Sequence, residues 1–300
     1  MWVVGIKAWN EAEYIYYVLK ALESFVDRFV IVEGCTAPMM RCMGLSPDVK
    51  ESTDGTAELV RQFISETSKS VTFRQYGMVE NENFLWNAYL KEVNIGDILW
   101  SVDADEYYEP QNAEAIVELV NMTDFASYRI PMLMFWHDFH HLIRGGNWDC
   151  KHERIVRIDE GCYYRHKSDL VGKDGNLIGL TRDFRKTCFL PFPMAHFSYV
   201  RNPKKIVEKQ VWQLVEYEYW GTPKVKNWLK PYQARFKRAE DFITKNFSWF
   251  TDHYDDRDGK HVYTQKFERE LDGCIQNHPY AQTEWSEDVT AFTYPQGNLQ

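Results

Sequence analysis

A chain of 300 residues is long enough to bury a large core, and suffices for one α/β domain with an appendage or for two small domains. Its 35 Lys and Arg against 44 Asp and Glu leave a net charge of -9, which excludes general binding to nucleic-acid phosphate. No apolar run approaches the ~20 residues that cross a bilayer, so any membrane contact is expected to be peripheral.

The start, "MWVVGIKAWNEAEY", reads as a strand over residues 2 to 8, with no basic n-region, apolar h-region or cleavage site, so no secretory leader is expected at this end. Ile15, Val18, Leu19 and Leu22 then recur at helical spacing, with Asn10 as the expected N-cap and Glu11 and Glu13 in the first turn. "RFVIVEG" is a second buried strand, Phe29 to Val32, ending at Glu33 and Gly34. The stretch from 35 to 51 has no period and reads as a long loop. "STDGTAELVRQFI" closes it as a helix, with Asp54 as N-cap and Leu59, Val60, Phe63 and Ile64 as its apolar face. "VTFRQYG" is a third strand, "NFLWNAYLKEV" a third helix and "DILWSVD" a fourth strand, and Pro110 opens a further helix. The regular alternation over residues 1 to 103 predicts an open α/β sheet, mixed but mostly parallel and flanked by helices. From 126 to 200 strand-like runs dominate, and from 203 onward amphipathic stretches predict a mainly helical extension. The six cysteines contain no C-x-x-C pair and read as reduced thiols of a cytoplasmic protein.

The fourth strand runs into "DADEYYEP", four carboxylates within Asp103 to Glu109. In open α/β sheets ligands sit at the carboxyl ends of the strands, and Glu33, Asp54 and the acids after 103 all fall on that edge. Alternation along a strand puts Asp103 and Asp105 on one side, where two carboxylates repel unless a cation lies between them. Oxygen ligands of this kind select Mg²⁺ or Mn²⁺, often together with a substrate diphosphate. Glu106 and Glu109 read as solvated loop acids.

"WNEAEYIYYVLKAL", "FVIVEG", "STDGT" and "ILWSVDADEYYEP" occur in the order found in family 2 glycosyltransferases of the GT-A fold, which the chain resembles over residues 2 to 110. The resemblance implies a GT-A domain over 1–200, with a nucleotide-sugar-binding half at 1–110 and an acceptor half at 111–200, and a helical extension over 201–300. It implies a nucleotide-diphosphate sugar donor, a carbohydrate or glycoconjugate acceptor, and transfer with inversion. Ala8, Trp9, Asn10 and Glu11 would line the base and ribose side. Glu33 stands where the family usually has an aspartate that contacts the base, and Asp54 matches its second nucleotide-side acid. Asp103 would approach the ribose or the metal shell, and Asp105 would bind the metal, Mn²⁺ or Mg²⁺. One departure from the family is the insertion between "VEG" and "STDGT". In "MAHFSYVRNPKKIVEKQ", similar to a segment of the same group, His196 either completes the metal shell or hydrogen-bonds in the core. Lys204, Lys205 and Lys209 read as a solvated face that could otherwise offset diphosphate charge.

An inverting transfer needs one carboxylate near the acceptor as general base. The acids after the metal motif are Asp138, Asp149, Glu153 and Asp169; Glu153, just before a strand, and Asp169, just after His166, are the preferred pair. Arg154 and Arg157 either clamp an anionic group or pair with nearby acids. "FWHDFHH" puts His137 and His141 on one strand face and His140 on the other, which suits the lining of an acceptor groove better than a zinc cluster. Two alternatives stand beside this reading: an inactive carbohydrate-binding or scaffold protein that keeps the fold, and a sugar-phosphate nucleotidyltransferase. The latter class has a Gly-rich loop after its first strand, where this chain has "KAWNEAE".

Overall fold

The computed structural model describes residues 1–136, 138–145, 150–166, 169–178, 187–201, 205, 253–255 and 260–282. Strands β1 (Trp2–Ala8), β2 (Arg28–Thr36), β3 (Ser70–Val79) and β4 (Ile98–Asp103) are joined by helices and pair in parallel in the order β3-β2-β1-β4. The register sets Ala8 opposite Glu33, Lys7 opposite Asp103 and Glu33 opposite Gln75, so the four carboxyl ends form one edge.

Side chains of β1 and β4 alternate between two apolar layers, as strands buried on both faces must. Val4, Ile6, Trp100 and Val102 face one layer, with helices α1 (Ile15–Leu22), α3 (Thr56–Glu66) and α5 (Pro110–Met122) supplying Leu19, Phe63 and Ile116 among others. Val3 and Leu99 face the other, against Leu85, Trp86 and Tyr89 of α4 (Glu82–Leu90). Gly5 lets α4 approach, because a Cβ there would stand 2.7 Å from the Tyr89 ring.

Beyond β4 the sheet turns antiparallel. β8 (Lys151–Arg157) pairs with β4 and with β6 (Ser127–Trp136), which pairs with β7 (His141–Arg144), and β7 with β14 (Lys260–Lys266), itself paired with β13 (His253–Asp255). β12 (Met194–Tyr199) runs parallel to β6 and antiparallel to the two-residue β5 (Glu106–Tyr107), and β11 (Thr187–Phe189) lies parallel to β6. β9 (Tyr163–His166) and β10 (Asp169–Val171) form a separate hairpin that brings Tyr164 and Leu170 onto the α4 layer. The open mixed α/β sheet flanked by helices is thus the observed fold.

Of the helical extension expected over 201–300, residues 202–204, 206–252, 256–259 and 283–300 lie outside the described residues. The described part includes β13, β14 and two 3₁₀ turns, Cys274–Asn277, packed against α1, and Pro279–Gln282, packed against the first. His278 stacks on Tyr14 at 4.7 Å, and burial lowers its imidazole to about 4, which keeps it neutral.

Several local expectations change. The stretch expected to be all loop contains a six-residue helix, α2 (Ala37–Cys42), and closes over Trp9, Cys35 and Met40 as a small apolar cluster. α1 begins at Ile15, so Asn10 does not cap it. Asn10 instead adopts a left-handed φ of 56° and ties two loops together. The N-cap of α3 is Gly55 (φ 93°), while Asp54 accepts the Thr56 N–H from one position earlier, and Ile64 is exposed. The five cysteines whose side chains are described are free thiols, and no helix among the described residues is long and apolar enough to cross a membrane.

Candidate functional site

The loops that leave β1 and enter α3 are zipped together by hydrogen bonds. The Asn10 N–H donates to Ser52 Oγ at 2.9 Å, the Thr53 N–H to Asn10 Oδ1 at 2.8 Å, and the Glu11 N–H to Thr56 Oγ1 at 2.7 Å. Buried Glu33 accepts from the Ser52 N–H at 3.0 Å and from Gln75 Nε2 at 2.7 Å, so the inserted segment returns the chain to within hydrogen-bond reach of β2. Asp54 accepts from Thr56 and from the Ala12 N–H, and pairs with Lys205 Nζ at 2.7 Å. Burial disfavours its charge, but Lys205 and these hydrogen bonds outweigh it and the carboxyl lies below its usual range. Trp9 is buried, and its indole N–H makes no hydrogen bond to the described residues. The strand-end position of Ala8 and the four residues Asn10, Glu11, Glu33 and Asp54 thus lie on one continuous edge.

The acids after β4 are arranged differently from the alternation expected. β4 ends at Asp103, and Ala104 and Asp105 form a turn, so the two aspartates do not continue one strand face. Asp103 lies beside Lys7 Nζ (3.3 Å) and Arg154 Nη2 (3.0 Å), and Lys7 also holds Glu82 at 2.8 Å. Desolvation opposes the Asp103 charge, but Lys7 and Arg154 overcome it and hold the carboxyl well below the ordinary aspartate range. Asp105 accepts from Arg201 Nη2 at 2.6 Å and Ser198 Oγ at 3.0 Å, and Arg201 also pairs with Glu11 at 2.6 Å. His196 Nε2 lies 3.6 Å from Asp105.

Glu106 and Glu109 are not solvated. Glu106 is fully buried, accepts the Asp103 N–H at 3.1 Å, and is gripped by Arg154 through both Nε and Nη2. Burial pushes its carboxyl up to about 7, against the pull of Arg154. Glu109 receives both terminal nitrogens of Arg269 at 2.6 Å. The turn after Asp103 brings ligand atoms of Asp103, Glu106 and His196 within 4.8 Å of one another, a group that could hold a metal ion. Among the described residues, Glu11, Glu82, Asp103, Asp105 and Glu106 pair here with Lys7, Arg154 and Arg201. Two carboxylates and an imidazole are ligand types that suit a divalent cation.

Of the expected base candidates, Glu153 precedes Arg154 in β8 and Asp169 opens β10. Desolvation raises the Glu153 carboxyl to about 7, with the Asp169 charge adding to the effect and a hydrogen bond from Ser127 reducing it. Asp138 is fully buried and spent on the His140 N–H and on His141 Nδ1, 2.9 Å away. Arg157 donates to the Val120 and Thr123 carbonyls at the end of α5 and lies 3.7 Å from Asp124. Asp149, His137, Lys204 and Lys209 lie outside the described residues. Sequence reasoning missed Lys7, Glu82, Glu106 and Arg201 and read Lys205 as solvated, because each owes its position to a partner remote in sequence.

No family model and no curated protein sequence matches the chain. Among solved structures it is similar to S. aureus TarS 1–349, at 18% identity over 44% of this chain and 36% of that one, with a TM-score of 0.33. The same protein in complex with UDP-GlcNAc aligns at 14% identity over 83% and 73% of the two chains, TM-score 0.42. The mannosyltransferase PcManGT from Pyrobaculum calidifontis, in complex with GDP-Man and Mn²⁺, aligns at 14% identity over 83% and 71%, TM-score 0.42. The match to the first of these spans about a third of that protein's length.

Proposed function

We propose that the chain is a metal-dependent family 2 glycosyltransferase of the GT-A type that moves a sugar, with inversion, from a nucleotide-diphosphate donor to a hydroxyl of a carbohydrate or glycoconjugate. The observation that carries this is the group of potential metal ligands Asp103, Glu106 and His196 at the carboxyl edge of the parallel strands. The ordered sequence motifs over residues 2 to 110 support it independently. Ala8, Trp9, Asn10, Glu11, Glu33 and Asp54 form the nucleotide side, the zipped loops fixing their positions before a ligand arrives. Asp103 and His196, with Glu106 beside them, hold Mn²⁺ or Mg²⁺, and Asp105 keeps His196 in place from its own pairing with Arg201 and Ser198. The bound metal supplies Lewis-acid neutralisation of charge on the departing diphosphate. Glu153 and Asp169 are the candidate bases on the acceptor side. The free thiols suit a reducing compartment such as the cytoplasm.

The test is calorimetric titration of UDP, GDP and CMP into the protein with Mn²⁺ and then with EDTA. Micromolar binding of one nucleotide that disappears with EDTA is the expected result. Absence of binding for all three would remove the donor site and favour a scaffold that keeps the fold without turnover.

A further inference from the structure

We propose that the acceptor is an acidic sugar whose phosphate or carboxylate is bound by Arg129 and Lys151 beside Phe189, across the metal-ligand group from the nucleotide residues. The inference rests on the glycosyltransferase reading and adds to it the charge class of the acceptor and the side chains that recognise it.

The order of the strands places these three residues. From β3 the sheet runs through β2, β1, β4, β8 and β6, with β11 paired to β6. The nucleotide-side residues come from the ends of β1 and β2 and the loop into α3, and Asp103 ends β4. Lys151, Arg129 and Phe189 come from the next strands in turn, β8, β6 and β11. β8 runs antiparallel to β4 with Ile155 opposite Trp100, so its first residue, Lys151, lies toward the carboxyl end of β4, where the acids are. Arg154, in the same strand, reaches Asp103 at 3.0 Å. A group held at Lys151 is therefore beside the metal-ligand group, on the flank opposite the nucleotide residues.

The three side chains converge. Phe189 opposes Arg129 in register, so the two share a sheet face. Lys151 Nζ lies 5.0 Å from the centre of the Phe189 ring, and the Arg129 guanidinium carbon 5.7 Å from it. An aromatic face attracts cations but carries no net charge, so it gathers the two without neutralising them. Neither cation forms an ion pair with a described residue, although the chain carries a net charge of -9 and Glu153 stands opposite Arg129 in register. Arg129 donates instead from Nη2 to the Lys151 carbonyl at 2.6 Å, the one hydrogen bond that its guanidinium makes among the described residues. That bond fixes the guanidinium beside Lys151 before any ligand arrives, and it leaves most of its N–H donors uncommitted, the buried Nε among them. Two like charges drawn together without a counter-charge favour an anion near both. A guanidinium beside an ammonium suits the oxygens of a phosphate or a carboxylate. Lys151 is exposed and Phe189 is 41% exposed, so the pair is open to solvent and the ring offers apolar surface next to the charges. An acidic sugar combines both features, a charged substituent and an apolar C–H face.

The test is calorimetric titration of the full chain, with EDTA present to exclude metal-bridged binding. The probes are glucose 6-phosphate and trigalacturonate, with glucose and maltotriose as their uncharged counterparts. At least one acidic sugar is expected to bind about tenfold or more tightly than its counterpart at about 50 mM salt, with the preference shrinking at about 500 mM. Which of the two binds separates phosphate from carboxylate. Lys151→Gln, at an exposed position, and Arg129→Met are each expected to weaken the acidic sugar about fivefold or more, while Mn²⁺-dependent nucleotide binding stays within about twofold of the parent. Acidic and uncharged sugars that bind alike, or no binding of any of the four, would overturn the proposal. An acidic-sugar affinity unchanged in both variants would also overturn it, by placing the anion at other cations. A parent protein that binds an acidic sugar but no nucleotide would instead refute the glycosyltransferase reading, and the acceptor role of this site with it.

Discussion

Arg154→Met is the most informative single substitution, because one guanidinium compensates two carboxylates at the centre of the proposed site. Arg154 is 5% exposed and Glu106 fully buried, and both Nε and Nη2 donate to Glu106 while Nη2 also reaches Asp103 at 3.0 Å. Methionine fills much of the same volume, so the main loss is electrostatic. Removing one partner of a buried ion pair costs roughly 3–5 kcal/mol. At about 2 °C per kcal/mol for a chain of this length, the melting temperature should fall by roughly 6–10 °C. Asp103 keeps Lys7 at 3.3 Å and bears the smaller share.

The pH dependence has a definite sign. Glu106 has a folded-state value of about 7, above that of an unfolded glutamate, so between those values folding takes up a proton and stability falls as pH rises. Below 7 the parent and the variant both fold with Glu106 neutral, and the gap between them is constant. Above 7 the parent releases the proton to a carboxylate that Arg154 stabilises, whereas the variant, its burial unopposed, must keep it. The gap therefore widens by about 1.4 kcal/mol per pH unit above 7. Denaturant melts from pH 6 to 8.5 measure this, and adding Glu106→Gln to the variant should abolish the widening. A variant that melts within 2 °C of the parent at pH 8, or a gap flat across that range, would refute the reasoning.

Asp105→Asn retains an acceptor for Ser198 but removes one of the carboxylates that pair with Arg201, Glu11 remaining; it should cost about 2 kcal/mol of stability, read by denaturant melts, and a loss below about 0.5 kcal/mol would place the Asp105 charge outside the Arg201 pairing. Lys205 and Asp54, each less than a third exposed, should show a coupling of about 1 kcal/mol in a double-mutant cycle of Lys205→Met and Asp54→Asn, whereas additive losses would mean that the contact contributes nothing.

The parallel half was legible because its rules are local. β1, β2 and β4 are apolar on both faces, α1 and α3 carry apolar residues at helical spacing, and the acids at the strand ends follow from chain order. The errors arose where a distant partner decides the outcome. "DEYYEP" is polar enough to read as a solvated loop, yet Glu106 is buried by an arginine 48 residues away and Glu109 by one 160 residues away. The alternation argument for Asp103 and Asp105 failed at the strand end, since β4 stops at Asp103 and period two has no meaning in the turn that follows. Asn10 combines an N-cap residue type with a left-handed φ, and only the contacts with Ser52 and Thr53 show that it ties loops and caps no helix.

The origin of the three cations explains why the site belongs to the whole sheet, although its acids come from the first 110 residues. Lys7 comes from β1, Arg154 from the point of β8 where its register against β6 shifts, and Arg201 from the chain just after β12. Without β8 and β12, Asp103, Asp105 and Glu106 would face one another with Lys7 as the nearest cation on the described strands, and like charges at this spacing disfavour the compact state. With both in place Arg154 and Arg201 join Lys7 and hold the acids close. The built-in cations thus make a crowded acidic edge compatible with the folded sheet, and each of them enters from a different strand or strand end.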